Sequence, residues 1–427
     1  MIKKIVNTFG TNVIVAVLNL LIAVIISQWL GAAGKGEQSI IITTVAFILL
    51  VCNIMGGASL VYLVPRTDNF KIIIPAYVWS LVVCFVVYFL SENLSQLSSF
   101  YNFHICLLTF ISSLTAVNSM ILLGHQKIEA KNLVAVLQTA VLIISLLILF
   151  LFFHQKNITS YIIALYVSFT SAFILSCFLI FKFLNKNKEV NTPLKKVLWE
   201  MLRFGFLNQL SHITQLLSFR LSYYILLLFL GKDSVGVYSN AVSLVEAVWL
   251  ISKSIATVQY ARIANSDDDM YARQLTQKLL KSALFMSFLI LIPMMLIPSS
   301  FYTFVFGKDF THVNILIIIL APGVFFYNFS LIIGHYFSGK ARYHINTMAS
   351  ASGLLVTVVL CLLLIPLLNV YGAAVAAVCS FITTSAVVFY VFHKETRLTL
   401  DSFFPHLKDI NEYKSYFFSI FNKNKNY

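Results

Sequence analysis

Val13-Ile-Val-Ala-Val-Leu-Asn-Leu-Leu-Ile-Ala-Val-Ile-Ile-Ser-Gln-Trp-Leu30 carries no charge and runs into Gly31-Ala-Ala-Gly-Lys-Gly-Glu-Gln-Ser39. An apolar block of this length matches the bilayer core, which an α-helix of about 20 residues crosses. The glycine-rich break that follows ends it. Lys3 and Lys4 precede the block, which is longer than the roughly 7–15-residue apolar core of a signal peptide, so it reads as a retained first helix. The same alternation of apolar block and polar break fills the chain. Its 427 residues are 59% hydrophobic and 11% charged, less than half of the roughly 25% charge of a soluble domain. A water-soluble helix would show a narrow apolar stripe instead.

The blocks predict an all-α membrane protein of about twelve transmembrane helices. The first six lie over residues 9–30, 39–62, 72–90, 103–123, 133–153 and 161–184, and the second six over 204–230, 238–261, 279–298, 313–337, 345–369 and 371–392. This divides the chain into an N-terminal six-helix bundle (1–184), a cytoplasmic linker (185–203) with Pro193 and Trp199, and a C-terminal six-helix bundle (204–393). A cytoplasmic tail (394–427) follows, whose Phe403-Phe404 and Tyr416-Phe417-Phe418 clusters predict an interfacial segment with basic anchors.

The net charge of +14 raises the question of a nucleic-acid partner, and its distribution answers it. Of the 30 lysines and arginines, 24 fall in one set of loops, and only Lys35, Lys156, Lys232 and Lys308 in the other. This is the positive-inside pattern. It predicts a bacterial inner-membrane protein with both termini cytoplasmic, and no nucleic-acid partner is needed. The cysteines (Cys52, Cys84, Cys106, Cys177, Cys361 and Cys379) all fall inside predicted helices and are expected to pack as small apolar residues.

A repeat crosses the linker. Leu30-Gly31, Gly36 and Ser39 recur as Leu230-Gly231, Gly236 and Ser239. Gly124-His-Gln-Lys127 is echoed by Gly339-Lys-Ala-Arg342, and Pro65-Arg66 by Ala261-Arg262. Six helices per half preserve orientation, so the halves are predicted to be parallel repeats related by a pseudo-two-fold axis along the membrane normal, with substrate between them.

Ionisable groups inside a membrane are functional candidates, because each costs at least ~2.5–3.5 kcal/mol to insert. Arg220 lies ten residues before Leu230, roughly 15 Å from the helix end. Glu246 and Lys253 are two turns apart on one stripe with Ser239, Ser243 and Thr257. Asn208, Ser211, His212, Gln215, Ser218 and Ser222 form a second stripe, from which Arg220 points away, and Asn12, Ala16, Asn19 and Ala23 a sparser third. Two readings stand for Arg220 and Glu246. One is a structural ion pair beside small-residue packing. The other is a cationic wall of Arg220 and Lys253 that holds a phosphate. Pairing Arg220 with Glu246 leaves Lys253 unpaired, which favours an anionic substrate. Glu246 is alternatively a site for H+ or Na+ uptake, and His212 is a packed polar residue or a relay.

Asp267-Asp268-Asp269 reads as a solvated helix start, and no metal site is expected. Pro293, Pro298, Pro322 and Pro366 should kink their helices. No Walker loop, HExxH or GxSxG occurs, so no nucleotide-driven or hydrolytic mechanism is indicated.

Leu30 to Gly36 and Gly56-Gly-Ala-Ser-Leu-Val-Tyr-Leu-Val-Pro-Arg66 resemble the first repeat of polysaccharide transporters, the Wzx-type O-antigen and capsule flippases. Phe219-Arg220-Leu-Ser222, Gly231 with Val235-Gly-Val-Tyr-Ser239, and Leu244-Val-Glu246 resemble their second repeat. The resemblance implies the multidrug/oligosaccharidyl-lipid/polysaccharide exporter fold, with two bundles around a cationic cavity. It implies an undecaprenyl-pyrophosphate-linked oligosaccharide as substrate, flipped to the periplasmic leaflet by alternating access. No cofactor is implied beyond an H+ or Na+ gradient. The implied partners are the lipid-linked substrate, bilayer lipid and other polysaccharide-assembly membrane proteins. The family often has Asp two residues after the Arg; here Ser222 stands there, which moves the coupling role toward Glu246. The polyprenyl tail is expected to stay in lipid through a gap between the bundles. A small-molecule or drug antiporter of the same fold is the alternative. A polymerase, ligase or acyltransferase is disfavoured, because the outer loops are short.

Overall fold

The computed structural model describes residues 2–94, 99–184, 193–266 and 268–397. All regular structure among them is helical. The helix α1 (Ile2–Gly56) has 55 residues, roughly 80 Å at 1.5 Å per residue, far more than one crossing of a ~30 Å core. It is two helices joined across a kink at Gly31, whose φ of 68° and ψ of −169° are not helical. The short α2 (Ala58–Leu63), α3 (Asn69–Leu94), α4 (Ser99–Gly124), α5 (Ile128–Leu147) and α6 (Ile158–Leu184) complete the first half. The second half holds α7 (Leu194–Leu230), α8 (Lys232–Ala247), α9 (Trp249–Ala264), α10 (Asp269–Leu296), α11 (Ser299–Phe306), α12 (Val313–Gly339), α13 (Tyr343–Leu368) and α14 (Val370–Thr396). Ten of these helices are long and apolar enough to cross a membrane, and α8–α9, bent by 44°, meets the same length and composition when the pair is counted as one span. Counting the two limbs of α1 separately gives twelve.

The repeat is written in the backbone. Gly31 and Gly231 share one conformation, with φ of 68° and 80° and ψ of −169° and −175°. Only glycine adopts this region readily. Gln126 and Ala341 both have positive φ, as do His154 and Asn369, each pair separated by 215 positions. Up to α3 and α10 the offset is 200 (Asn69, Asp269), and at α4 and α12 it is 214 (Ser99, Val313). The extra residues are therefore α11 and its flanks, which among the described residues have no counterpart in the first half.

Three predicted boundaries need correction. The first helix begins at Ile2 and not at residue 9. The linker expected over 185–203 is helical from Leu194, directly after Pro193, because proline suits a helix start. Val197 and Met201 of that stretch are buried in a core cluster with Leu60, Ile72 and Ile121 of the first half. The helix predicted at 279 begins at Asp269, with the Asp268 side chain accepting from the Met270 and Tyr271 amides. The predicted kinking prolines divide: Pro293, Pro322 and Pro366 lie inside α10, α12 and α13, whereas Pro298 precedes α11. Asp267, residues 185–192 and the tail from 398 onward lie outside the described residues.

The six cysteines lie in helices and are free. Lys35 departs from its reading as a loop cation. It is 4% exposed in the second limb of α1, and its Nζ donates to Gln38 Oε1 at 2.6 Å.

Candidate functional site

Arg220 on α7 and Glu246 on α8 form a two-pronged ion pair. Nη1 donates to Oε1 at 2.7 Å and Nη2 to Oε2 at 2.6 Å. The side chains are 21% and 16% exposed, and the guanidinium also lies 5.4 Å from the Tyr223 ring centroid. A planar fork matched to both carboxylate oxygens is the strongest ordinary form of such a pair. Neither residue is among those lining the cavities described below.

The bend at Val248 separates this pair from Lys253. Trp249, just past the bend, is fully buried and donates from Nε1 to Val324 O at 3.0 Å. It packs with Phe219, Tyr327 and Phe381 at ring separations of 4.6–5.6 Å. Lys253 Nζ lies 5.8 Å from the Trp249 ring centroid. Lys253 is exposed and makes no ion pair among the described residues. It faces a cleft of about 300 Å³ whose opposite wall is Asn12, Ala16 and Asn19 of α1. The sparse stripe on the first helix and the unpaired lysine of the second half thus meet across the pseudo-two-fold axis.

Two further cavities adjoin this cleft. Thr257 lines both the cleft and a cavity of about 660 Å³, whose wall includes His212, Gln215, Tyr260, His335 and Asn346. Most lining residues of the larger cavity lie toward the Lys- and Arg-rich end of their helices, with His212, Gln215 and Tyr327 near the middle. On the other side, Phe9, Val13 and Leu250 line both the cleft and an apolar groove of about 220 Å³ that includes Leu244, Ile251 and Met294.

The predicted stripe on α7 is split by the fold. Ser211, His212 and Gln215 line the large cavity, and Gln215 Nε2 donates to the Tyr327 hydroxyl at 2.8 Å. Ser218 turns to Ser380 at 3.0 Å, and Ser222 is buried. The Asn208 side chain lies outside the described residues. Sequence reasoning missed Tyr260, Tyr327, His335 and Asn346. They come from α9, α12 and α13; Tyr327, Ser330, His335 and Ser338 do recur at helical spacing on one face of α12, a signal that could have found that wall. Among the described residues no cluster of three or more His, Cys, Asp or Glu could hold a metal.

The opposite end, around Gly31 and Gly231, is closed. An added Cβ on Gly36 would stand 1.9 Å from Lys232 O, and one on Gly236 2.0 Å from Ala32 O. The backbones of α1 and α8 touch there with no room for a side chain. Ser39 and Ser239 hydrogen-bond at 2.8 Å, Asn240 donates to Ser27 at 2.7 Å, and Lys232 pairs with Glu37. The inserted α11 segment adds a strap. Asp309 Oδ2 accepts from the Ala32 amide at 3.0 Å, and Gln28 Nε2 donates to Phe304 O and Val305 O at 2.7 and 2.8 Å.

This architecture has relatives of known structure. The Lipid II flippase MurJ, in an inward closed conformation, superposes with a TM-score of 0.73 at 17% identity, over 93% of this chain and 89% of that one. A multidrug resistance MATE family transporter of the MOP superfamily, inward-facing, gives 0.71 at 15% identity over 89% and 94%. A mutant of the Vibrio cholerae MATE transporter VcmN gives 0.68 at 12% over 94% and 98%. At these identities the likeness is one of fold. In sequence, the capsular polysaccharide biosynthesis protein CapF of Staphylococcus aureus is 23% identical over 167 residues, 38% of this chain. That match spans about two-fifths of the length of that relative (42%). The family profile described as polysaccharide biosynthesis protein matches residues 1–264 and 254–422, so this chain, a multi-pass membrane protein with the fold of MOP-superfamily transporters, belongs to the polysaccharide biosynthesis protein family.

Proposed function

We propose that the protein is a flippase that carries an undecaprenyl-pyrophosphate-linked oligosaccharide from the cytoplasmic to the periplasmic leaflet of the bacterial inner membrane. The observation that carries this reading is the order of the three adjoining cavities: apolar groove, Lys253 cleft, polar cavity. That is the order of tail, diphosphate and glycan in the substrate. A diphosphate cannot enter hydrocarbon without a compensating charge, and Lys253 supplies one at the junction of the two halves. Arg220 is already neutralised by Glu246 and serves to bolt α7 to α8. The groove lets the tail remain beside lipid. With the basic loops cytoplasmic, the Lys- and Arg-rich end, toward which the large cavity lies, faces the cytoplasm, and the Gly31–Gly231 end is closed against the periplasm. Rocking of the two halves then exposes the site to the other face, driven by an H+ or Na+ gradient.

A small-molecule or drug antiporter is the second reading, and the fold shared with MATE transporters favours it equally. The cavity chemistry does not favour a cationic drug. No Asp or Glu is among the described residues lining the three cavities.

The test is deletion of the gene, with lipid-linked oligosaccharide quantified and its leaflet read by accessibility in spheroplasts. Accumulation on the cytoplasmic face with loss of surface polymer is expected. Unchanged lipid and polymer would favour the antiporter, and single repeat units on the periplasmic face would point to a later enzyme.

A further inference from the structure

The closed end holds two polar groups that its own packing leaves short of partners. Lys35, in the second limb of α1, is buried beside the Gly36 contact. An ammonium carries three donors, and Nζ meets one acceptor, Gln38 Oε1. No carboxylate pairs with it among the described residues. Glu37, two residues on, is taken by Lys232, and Glu246 by Arg220. The Arg220 guanidinium, from the second half, acts on it with a charge of the same sign. Asn240, on α8, is the corresponding case from the other half. Its Nδ2 donates across the seam to Ser27, while its Oδ1 is buried with no partner.

The repeat shows what these two positions hold when packing alone decides. At the offset of 200, the equivalent of Lys35 is Val235 and that of Asn240 is Ile40. Val235 is 0% exposed and Ile40 2%, and both belong to one hydrophobic cluster with Ala32 and Ala241. Each half therefore places a polar residue where the other half places a buried aliphatic one. Burying a polar group with too few partners is unfavourable, and a buried charge without a counter-ion is more so. Water that enters when α1 and α8 part supplies the missing partners, so the penalty falls on the closed arrangement alone.

We propose that Lys35 and Asn240 form an opening device: two under-satisfied polar groups, one from each half, that weaken the Gly31–Gly231 end so that it parts during transport. The glycine contacts, the Ser39–Ser239 bond, the Lys232–Glu37 pair and the Asp309 strap hold this end shut, and Lys35 and Asn240 work against them. Val235 and Ile40 mark the residues that a permanently sealed end would carry at both places. The inference rests on the rocking of the halves proposed above and not on the identity of the substrate, since an antiporter of this fold must open the same end.

The experiment places a reporter cysteine at Ser239, which is buried at the seam, in the full-length protein in proteoliposomes. An impermeant maleimide is applied to the face at the Gly31–Gly231 end, and the rate of the parent without this cysteine is subtracted. A buried thiol reacts in proportion to the time its surroundings are open. Lys35→Met, which keeps the volume and removes the charge, is expected to slow labelling at least tenfold at normal membrane levels. Asn240→Val is expected to slow it at least threefold. A lysine that merely braced Gln38 would give the opposite sign, with faster labelling once it is gone. Labelling of Lys35→Met at the reporter's own rate or faster overturns the device. So does failure of Lys35→Met to reach the membrane, because the lysine would then be holding the fold together. A reporter that is not labelled with either native residue in place overturns the opening of this end, and the rocking with it.

Discussion

Ser39 and Ser239, residues 200 positions apart, donate and accept one hydrogen bond of 2.8 Å across the seam between the two halves. Each lies three residues after a glycine, Gly36 or Gly236, whose missing side chain lets the other half's backbone approach. The equivalent positions of the two repeats therefore meet each other, as they must if a two-fold axis passes between them.

That contact predicts the effect of adding a side chain. Gly36→Leu and Gly236→Leu each force the α1 and α8 backbones apart. Overpacking of this kind costs roughly 1–3 kcal/mol, charged here against the closed end. The variants are expected to populate an arrangement open at the Gly31–Gly231 end, seen as a longer spin-label separation across the seam than in the wild type. An unchanged separation would argue that the seam does not part during transport.

Asp309 supplies a cap from one half to the helix of the other. Removing a capping carboxylate costs ~0.5–2 kcal/mol. Asp309→Ala is expected to raise labelling of a cysteine placed at Ser27 by an impermeant thiol reagent applied to the face at the Gly31–Gly231 end, with expression unchanged. Labelling at the wild-type rate would show that the α11 strap does not contribute to closure.

Breaking the Arg220–Glu246 pair strands a charge in an apolar setting. Loss of one partner of a buried pair costs roughly 3–5 kcal/mol, whereas replacing both with apolar residues is often neutral. Arg220→Leu and Glu246→Leu singly are expected to lower the amount of protein in the membrane, and the double variant to restore both the amount and the export. Restored protein without export would return Arg220 to the binding site.

Lys253 has no such structural partner, and its loss should leave folding intact. A charge-assisted contact worth roughly 1.5–3 kcal/mol corresponds to about tenfold or more in rate or affinity. Lys253→Ala is expected to reduce export by that much at normal membrane levels, and Lys253→Arg to retain most of it. Full export by Lys253→Ala would remove this residue from the mechanism.

Much of this protein was legible before folding. Bilayer-length apolar blocks and lysine placement are one-dimensional signals, because the membrane thickness and the charge asymmetry act on each segment by itself. They specified an all-α membrane protein of twelve crossings in two halves. Gly31, Gly36, Gly231 and Gly236 exposed the repeat, since positive φ and close backbone approach leave few alternatives to glycine. Arg220, Glu246 and Lys253 stood out because charge inside a membrane is costly wherever it occurs. The partnerships were not legible. Whether Arg220 faced a ligand or Glu246 depended on how α7 packs on α8, and the Ser211–Gln215 part of the α7 stripe reached the cavity while Ser218 turned to α14. The large cavity draws Tyr260 from α9, His335 from α12 and Asn346 from α13, residues made neighbours by three-dimensional packing and not by periodicity. The α11 strap was not legible either; its grip on Gln28 and Ala32 arises because the insertion falls at the end where the halves close. Composition and spacing decide what must be in the membrane and how often the chain crosses it, whereas which polar groups pair and which stay free for a ligand is set by tertiary contact.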